Sequence, residues 1–428
     1  MLRFVFLATL IPLAGQAEFR AAAVKIDITP DDSQPLLGYA ARKSTGIHDR
    51  LYHRIAAFDD GTLQFFLAAT DICLISPSVY DDVTRELERE TGIKPHQVWW
   101  ANTHTHSAPE VGPPGLAQAF MPDRYRHTRE SAYTDRVKRT LIDGIKEART
   151  KLEPARISIG QGFAMANINR RARDADGSIK LGLNPYGPVD RQIGLLRLER
   201  ADGTPLAVVA NYAIHGTALS GANLQISGDA PGIVASYVEE RLNTTLLFVN
   251  GAAGNIAPIY TVYPDFRSAH INEFKVLLGD RILEALYALP AATADVRLRT
   301  AEKIVETPRK ATLGWTDDLS AYTRKTPDGR GNLVKLPVRF LSINSETMLW
   351  AAPLEMFCEI AIGVREQSPF RNTFYFGYTN GWLGYLPTKK AFGEGGYEPT
   401  TSPFTREAEQ HLTEAVTAAL QGWPGRPE

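Results

Sequence analysis

Val98-Trp99-Trp100-Ala101-Asn102-Thr103-His104-Thr105-His106-Ser107-Ala108-Pro109 is where an apolar run ends abruptly in two histidines spaced i, i+2. Residues two apart in a strand point to the same side. The spacing therefore predicts that His104 and His106 face one point in space, just where a strand leaves the core. Two imidazoles converging at a sheet edge form a metal-binding pattern, and zinc is the default metal for nitrogen ligands. The competing reading is a pair of hydrogen-bonding histidines at a loop entrance. An isolated His-x-His does not choose between the two.

Working outward, strands are expected at Ala21–Ile28, Leu51–Phe58 and Leu63–Asp71, the last two joined by the turn Asp59-Asp60-Gly61. Ser76-Pro77 opens a helix that stops at Gly92, and Val137, Leu141, Ile142, Ile145 and Ala148 give the helical period over about 131–151. Further strands are expected at 155–162, 192–199, 206–214, 246–249, 295–306, 336–343, 347–351 and 373–379. Helices fall at about 228–242, 268–288, 353–366 and 404–420. The polar stretch 167–187 fits neither period. Strands and helices intermix without repeats or linkers, which predicts an α/β fold with mixed β-sheets flanked by helices, in a single domain.

The 428 residues are 44% hydrophobic and 22% charged, with a formal net charge of -1, an ordinary globular composition. That balance argues against a nucleic-acid partner, which requires a basic excess. Arg3, the apolar run Phe4–Leu13 and the small residues Ala14-Gly15-Gln16-Ala17 read as a signal peptide over residues 1–17. The mature chain, 18–428, is then secreted or periplasmic. No later apolar run approaches the roughly 18 residues of a membrane-spanning helix, leaving transient membrane-surface contact as the membrane interaction open to it. Cys73 and Cys358 are the two cysteines, and a single disulfide or two buried thiols fit their apolar contexts equally.

Other chain ends carry polar groups that a bland core does not require. His215 closes the apolar strand 206–214, where a buried, singly hydrogen-bonded histidine is the plain alternative. Glu355 follows Pro353 just before an apolar helix, where a carboxylate is often only a dipole partner. Tyr385 lies in an aromatic segment where a phenol usually just packs.

Together these segments resemble a family. Asn102 to Pro109 is similar to the THTHSGP signature of the neutral/alkaline (non-lysosomal) ceramidases. Gly46-Ile47-His48, Ala69-Thr70-Asp71-Ile72-Cys73, Ala166-Asn167-Ile168-Asn169-Arg170, Ala213-Ile214-His215-Gly216-Thr217, Ser227-Gly228-Asp229, Phe248 to Pro258, Pro353-Leu354-Glu355-Met356-Phe357, Thr379 to Tyr385 and Gly396-Tyr397-Glu398 resemble further boxes of that family, in family order. The resemblance implies a catalytic zinc held by His104, His215, Glu355 and Tyr385. It also implies catalytic roles for His106, beside the metal, and for Arg170, whose plain alternative is a surface arginine next to Arg171 and Arg173. Asn255 stands where the family carries a carboxylate and is retained as a catalytic candidate, while Ala257 replaces the serine of the same box.

The expected activity is hydrolysis of an amide, in ceramide or another N-acyl small-molecule or lipid substrate, by attack of zinc-bound water. Alternatives are ester, lactone or small-amide hydrolysis, and a non-catalytic relative that binds an acyl or sugar ligand. An amidohydrolase barrel also opens on His-x-His, but nine histidines in all and several hairpins fit it poorly. No C-terminal immunoglobulin-like domain is expected. Loops 107–130 and 386–403 are expected to form the rim, with Phe120, Tyr125, Phe392 and Tyr397 available to line it.

Overall fold

A computed structural model describes residues 18–112, 131–260, 270–311 and 317–426. The stretch read as a signal peptide lies outside the described residues, as do Phe120 and Tyr125.

Eight strands form one sheet in the order Thr245–Asn250, Pro205–Tyr212, Gln192–Arg200, Glu153–Phe163, Arg20–Asp27, Tyr52–Asp59, Gln64–Thr70, Val98–Asn102. Its inner pairings are antiparallel, and the outermost pairing at each end is parallel. A ring of parallel strands is thereby excluded, and with it the barrel alternative. A second sheet of five strands is built from Leu298–Pro308, Thr323–Lys325, Asn332–Ile343, Thr347–Ala351 and Asn372–Phe376.

Period-2 alternation sets the layers. Ala56, Phe58, Trp99, Val209 and Val249 of the first sheet share one apolar cluster with Leu341, Leu349 and Phe374 of the second. The opposite side chains of the first sheet, Ile55 and Trp100 at one end and Val208 and Phe248 at the other, pack under helices Pro77–Thr91, Ser131–Thr150 and Asp229–Leu242. The outer face of the second sheet lies under Cys358–Glu366 and Ala408–Gln421. The result is a helix–sheet–sheet–helix sandwich, the α/β class expected. The Ser76 hydroxyl caps the first helix by accepting from Ser78 N–H, and Gly92 ends it at φ 75°.

Three readings need correction. The stretch 167–187 contains the antiparallel strands Asn167–Arg173 and Ile179–Asn184, the first also pairing with Ile256–Pro258. The period is hidden because Asn167, Asn169, Arg170 and Arg171 are buried against polar partners, while most of the second strand is partly or fully exposed. Glu355 lies in a two-residue strand, Glu355–Met356, paired in parallel with Tyr385–Leu386, and the helix starts only at Cys358. The helix expected over 268–288 is broken, with a π-type turn over Lys275–Asp280 before the α-helix Arg281–Tyr287. Cys73 and Cys358 are both buried and free.

Candidate metal centre

The two parallel pairings at the ends of the large sheet point their following loops at each other. After Val98–Asn102 the chain reaches His104, and after Pro205–Tyr212 it reaches His215. The loops meet in a bridge between Thr105 and Gly216, and the His106 N–H donates to the Gly216 carbonyl at 2.8 Å. Only glycine permits this approach, since a Cβ on Gly216 would lie 2.6 Å from the His104 carbonyl oxygen.

His104 and His106 do converge, their Nε2 atoms 3.2 Å apart, but not through the pleat of a strand. The strand ends at Asn102, and His104 adopts φ 63°. A left-handed backbone is costly for a non-glycine residue and is held by its surroundings. Here the His104 N–H is tied to the Ile72 carbonyl at 3.0 Å, and Tyr378, itself at φ 51°, stacks on the imidazole at 4.1 Å between ring centroids.

Three lone pairs converge at the centre. His104 Nε2 and His215 Nε2 each lie 3.2 Å from Glu355 Oε2. His104 Nδ1 faces the Cys73 carbonyl at 2.9 Å and His215 Nδ1 faces the Ala253 carbonyl at 2.7 Å. A carbonyl can only accept, so each Nδ1 carries a proton and each Nε2 faces the centre, where His215 Nε2 accepts from Arg170 Nη1 at 3.0 Å. The Glu355 carboxylate between them calls for positive charge, which a proton on His104, the Arg170 guanidinium or a bound metal ion supplies. The 3.2 Å separations match the ~3.3 Å edge of a tetrahedron whose bonds are about 2.0–2.1 Å. The carbonyl partners are also the support that orients histidine ligands. The donor set therefore fits a divalent metal, and all three residues are at most 2% exposed.

The electrostatics carry the same demand for positive charge. Burial lowers the proton affinity of His104, yet the Glu355 carboxylate beside it raises its pKa to about 10. Burial and then Arg170 push His215 down to about 3. Glu355 stays well below the usual carboxylate range despite its burial, because His104 and His215 face it.

Around these three, Trp382 Nε1–H donates to Glu355 Oε1 at 2.8 Å, fixing the carboxylate from the other side. Tyr385 lies beside Glu355 on the short parallel ladder, and its hydroxyl accepts from Arg170 Nη2 at 3.2 Å. Arg170 Nη1 donates to His215 Nε2 at 3.0 Å, so the arginine is a buried cation of the site and not a surface charge. Burial, with His104 and His215 close by, drops His106 well below its ordinary pKa. Asn255 is turned elsewhere. Its amide donates to Glu359 Oε2 at 2.7 Å, and its oxygen accepts from Cys358 N–H at 3.0 Å. That side chain holds the start of the Cys358–Glu366 helix rather than facing the histidines. Ala257 is buried in the strand paired with Ile168.

Of the residues expected to line a rim, Tyr397 meets the Tyr385 ring edge-on at 5.7 Å, and the Phe392 ring lies under the Lys310 ammonium at 5.2 Å, facing that lysine. The sequence reading did not find Tyr378 or the role of Trp382. The signal available was that a buried carboxylate requires a second donor, and Trp382 is the nearest indole in sequence to Tyr385.

A profile of the N-terminal part of the neutral/alkaline non-lysosomal ceramidases matches residues 19–258. The chain belongs to that family. It is 30% identical over 245 residues to neutral ceramidase A of Dictyostelium discoideum, covering 54% of this chain and 33% of that protein. It is 27% identical over 286 residues to the neutral ceramidase of Pseudomonas aeruginosa, covering 62% and 41%. The matched part thus spans a third to two fifths of these relatives. The crystal structure of the neutral ceramidase from Pseudomonas aeruginosa superposes with a TM-score of 0.73 at 20% identity, over 95% of this chain and 75% of that one, which establishes a shared fold. The ceramidase-family boxes thus lie on a ceramidase fold.

Proposed function

We propose that the chain is an exported zinc-dependent hydrolase that cleaves an amide bond, in ceramide or another N-acyl substrate. The observation that carries this reading is the convergence of His104 Nε2, His215 Nε2 and Glu355 Oε2, three buried ligand atoms spaced as a metal ion would hold them. Family membership supports the reaction class, and the curated relatives named above are neutral ceramidases.

In this reading His104, His215 and Glu355 hold the metal and Tyr385 is the fourth ligand. Zinc bound there supplies Lewis acidity and a water acidic enough to lose its proton near neutral pH. His106 is neutral, is 9% exposed, and presents Nε2 beside His104, so it can take up a proton and return it to a leaving amine. Arg170 is a fixed cation whose Nη atoms line the same space, suited to hold the carbonyl oxygen as negative charge grows on it. Asn255 has no part in this scheme beyond holding its turn. Residues 1–17 serve as the export signal, and 18–428 form the hydrolase domain.

One observation favours a second reading. Ala257 stands where the family resemblance implies a serine, so no hydroxyl is offered from that position. An ester or a lactone, whose alkoxide leaves with less assistance than an amine, then becomes the substrate of the same metal. The test is metal content together with hydrolysis of a fluorogenic N-acyl sphingosine, in wild type and His215→Ala. About one zinc per chain, lost along with activity in the variant, is the expected result. Zinc without N-acyl sphingosine turnover would favour the ester and lactone reading. Absence of zinc after reconstitution would defeat both.

A further inference from the structure

Arg170 and Arg171 are neighbours on one strand, where successive side chains point to opposite faces. Both nonetheless end on one carboxylate. Arg170 Nε–H donates to Glu398 Oε1 at 2.9 Å, and Arg171 Nη1 donates to Glu398 Oε2 at 2.8 Å. Glu398 is 1% exposed, and the two arginines are 7% and 6% exposed. Two guanidinium charges this deep need a counter-ion, because an unpaired buried charge is strongly unfavourable.

The chain goes to some length to bring Glu398 here. Gly395 and Gly396 both have left-handed φ, 74° and 95°, and a Cβ on Gly396 would lie 3.2 Å from Arg171 Nη1. Arg171 Nη2 in turn donates to the Gly395 carbonyl at 2.8 Å. The short helix that carries Glu398 is fastened to the metal-centre ladder, since Ser402 Oγ donates to the Tyr385 carbonyl at 2.8 Å. Glu398 and Tyr385 are thus held as one unit, with the Arg170 guanidinium clamped between them.

We propose that Glu398 is the positioning residue of the centre: by anchoring the Nε edge of Arg170 it aims the Nη edge at His215 and Tyr385 and offsets the guanidinium charge beside the metal. The proposal rests on the metal reading above. Glu398 touches no reacting atom and acts through Arg170. Without its carboxylate, Arg171 would keep only Glu394 at 3.6 Å, the Arg170 charge would stand uncompensated next to an incoming dication, and nothing would hold that guanidinium back from His215 Nε2, which it already meets at 3.0 Å. Both effects oppose metal binding.

The experiment is zinc affinity by chelator competition for the wild type, Glu398→Gln, Arg170→Met and the double variant. Glu398→Gln is expected to weaken zinc binding by about tenfold or more, the scale of lost outer partners at metal sites. In the Arg170→Met background the same change is expected to alter affinity by less than about twofold, because the residue it acts through is gone. Glu398→Asp, which keeps the charge, is expected to bind zinc more tightly than Glu398→Gln. Equal losses in both backgrounds would overturn the proposal and make Glu398 a support of the fold through Arg171. Unchanged affinity in Glu398→Gln would overturn it as well, with the metal reading intact. Wild-type protein that takes up no zinc would sink the metal reading first and this proposal with it.

Discussion

His53, inside a strand of the eight-stranded sheet, and His215, just past the end of another, are both completely buried, and only His215 belongs to the candidate site. His53 Nε2–H donates to the Val137 carbonyl at 3.0 Å, and its Nδ1 accepts from the Thr70 hydroxyl at 2.7 Å. Donor meets acceptor on both sides. The next residue, Arg54, points to the other face and meets Asp71 at 2.6 Å and Glu239 at 2.8 Å. That region is highly polar and yet closed, because each charge named faces its opposite. At His215 the near side is satisfied by a carbonyl, and the far nitrogen accepts from Arg170 while lying 3.2 Å from Glu355 Oε2, the oxygen that His104 Nε2 also meets. Burial and charge do not separate a functional cluster from a structural one. The convergence of ligand atoms from separate segments on one point does.

The largest effect that could break this comparison is at the metal centre. His215→Ala is expected to reduce bound zinc from about one per chain to a small fraction, and N-acyl hydrolysis by at least ~10³-fold. Elemental analysis beside a fluorogenic assay checks it; full zinc retention would place the metal elsewhere. Arg54→Met is expected to do the reverse. It leaves Asp71 and Glu239 buried without their cation and should cost about 3–5 kcal/mol of stability by urea unfolding. The fraction that remains folded should keep its zinc. A variant that unfolds no more easily yet loses metal would mean that the two regions are not independent.

Much of the frame was legible because it is local. Ser76-Pro77 and Gly92 bracket the first helix, and Asp59-Asp60-Gly61 turns the first hairpin, since caps and turns are decided by a few neighbouring residues. His104 and His215 stood out because a polar side chain ends an apolar run. What was not legible depends on pairing across long sequence separations. Glu355 reads as a helix start until Tyr385 pairs with it in parallel. Arg170 reads as a surface charge until Glu398, far along the chain, buries it. Asn255 looked like a substitute for a catalytic carboxylate, and its amide is engaged by Glu359 and Cys358. The i, i+2 argument reached the right convergence of His104 and His106 by the wrong geometry, because the strand stops two residues earlier.

The closed region makes a pH prediction of its own. Burial lowers the pKa of His53 from the ordinary 6.5 to about 4. In the unfolded chain it binds a proton below about 6.5, whereas the folded protein resists protonation down to about 4. Its contribution is therefore fully present above pH 6.5 and is lost as pH falls toward 4. Between pH 7.5 and pH 4.5 the wild type should lose about 2–3 kcal/mol more stability than His53→Gln, whose side chain does not titrate. Urea unfolding of both proteins at the two pH values measures the difference. Parallel losses would show that His53 is less well satisfied than its partners imply.

The smallest effect sharpens the comparison from within the metal centre. Trp382 lies in the family-like box Thr379 to Tyr385, and its Nε1–H is the donor facing Glu355 Oε1 at 2.8 Å. A carboxylate with one oxygen on a metal and the other on an indole is held in rotation, which is what an outer partner contributes. Trp382→Phe removes the N–H while keeping most of the ring volume, so the protein should remain folded. Zinc affinity should fall by about tenfold, with one metal still bound at saturation. Trp382→Tyr restores a hydroxyl at the end of a ring of different shape, and any recovery of affinity measures how far donation alone accounts for the loss. Should Trp382→Phe bind zinc as tightly as wild type, the histidine pair and their carbonyl partners would suffice to orient the site, and Glu355 would need no second donor.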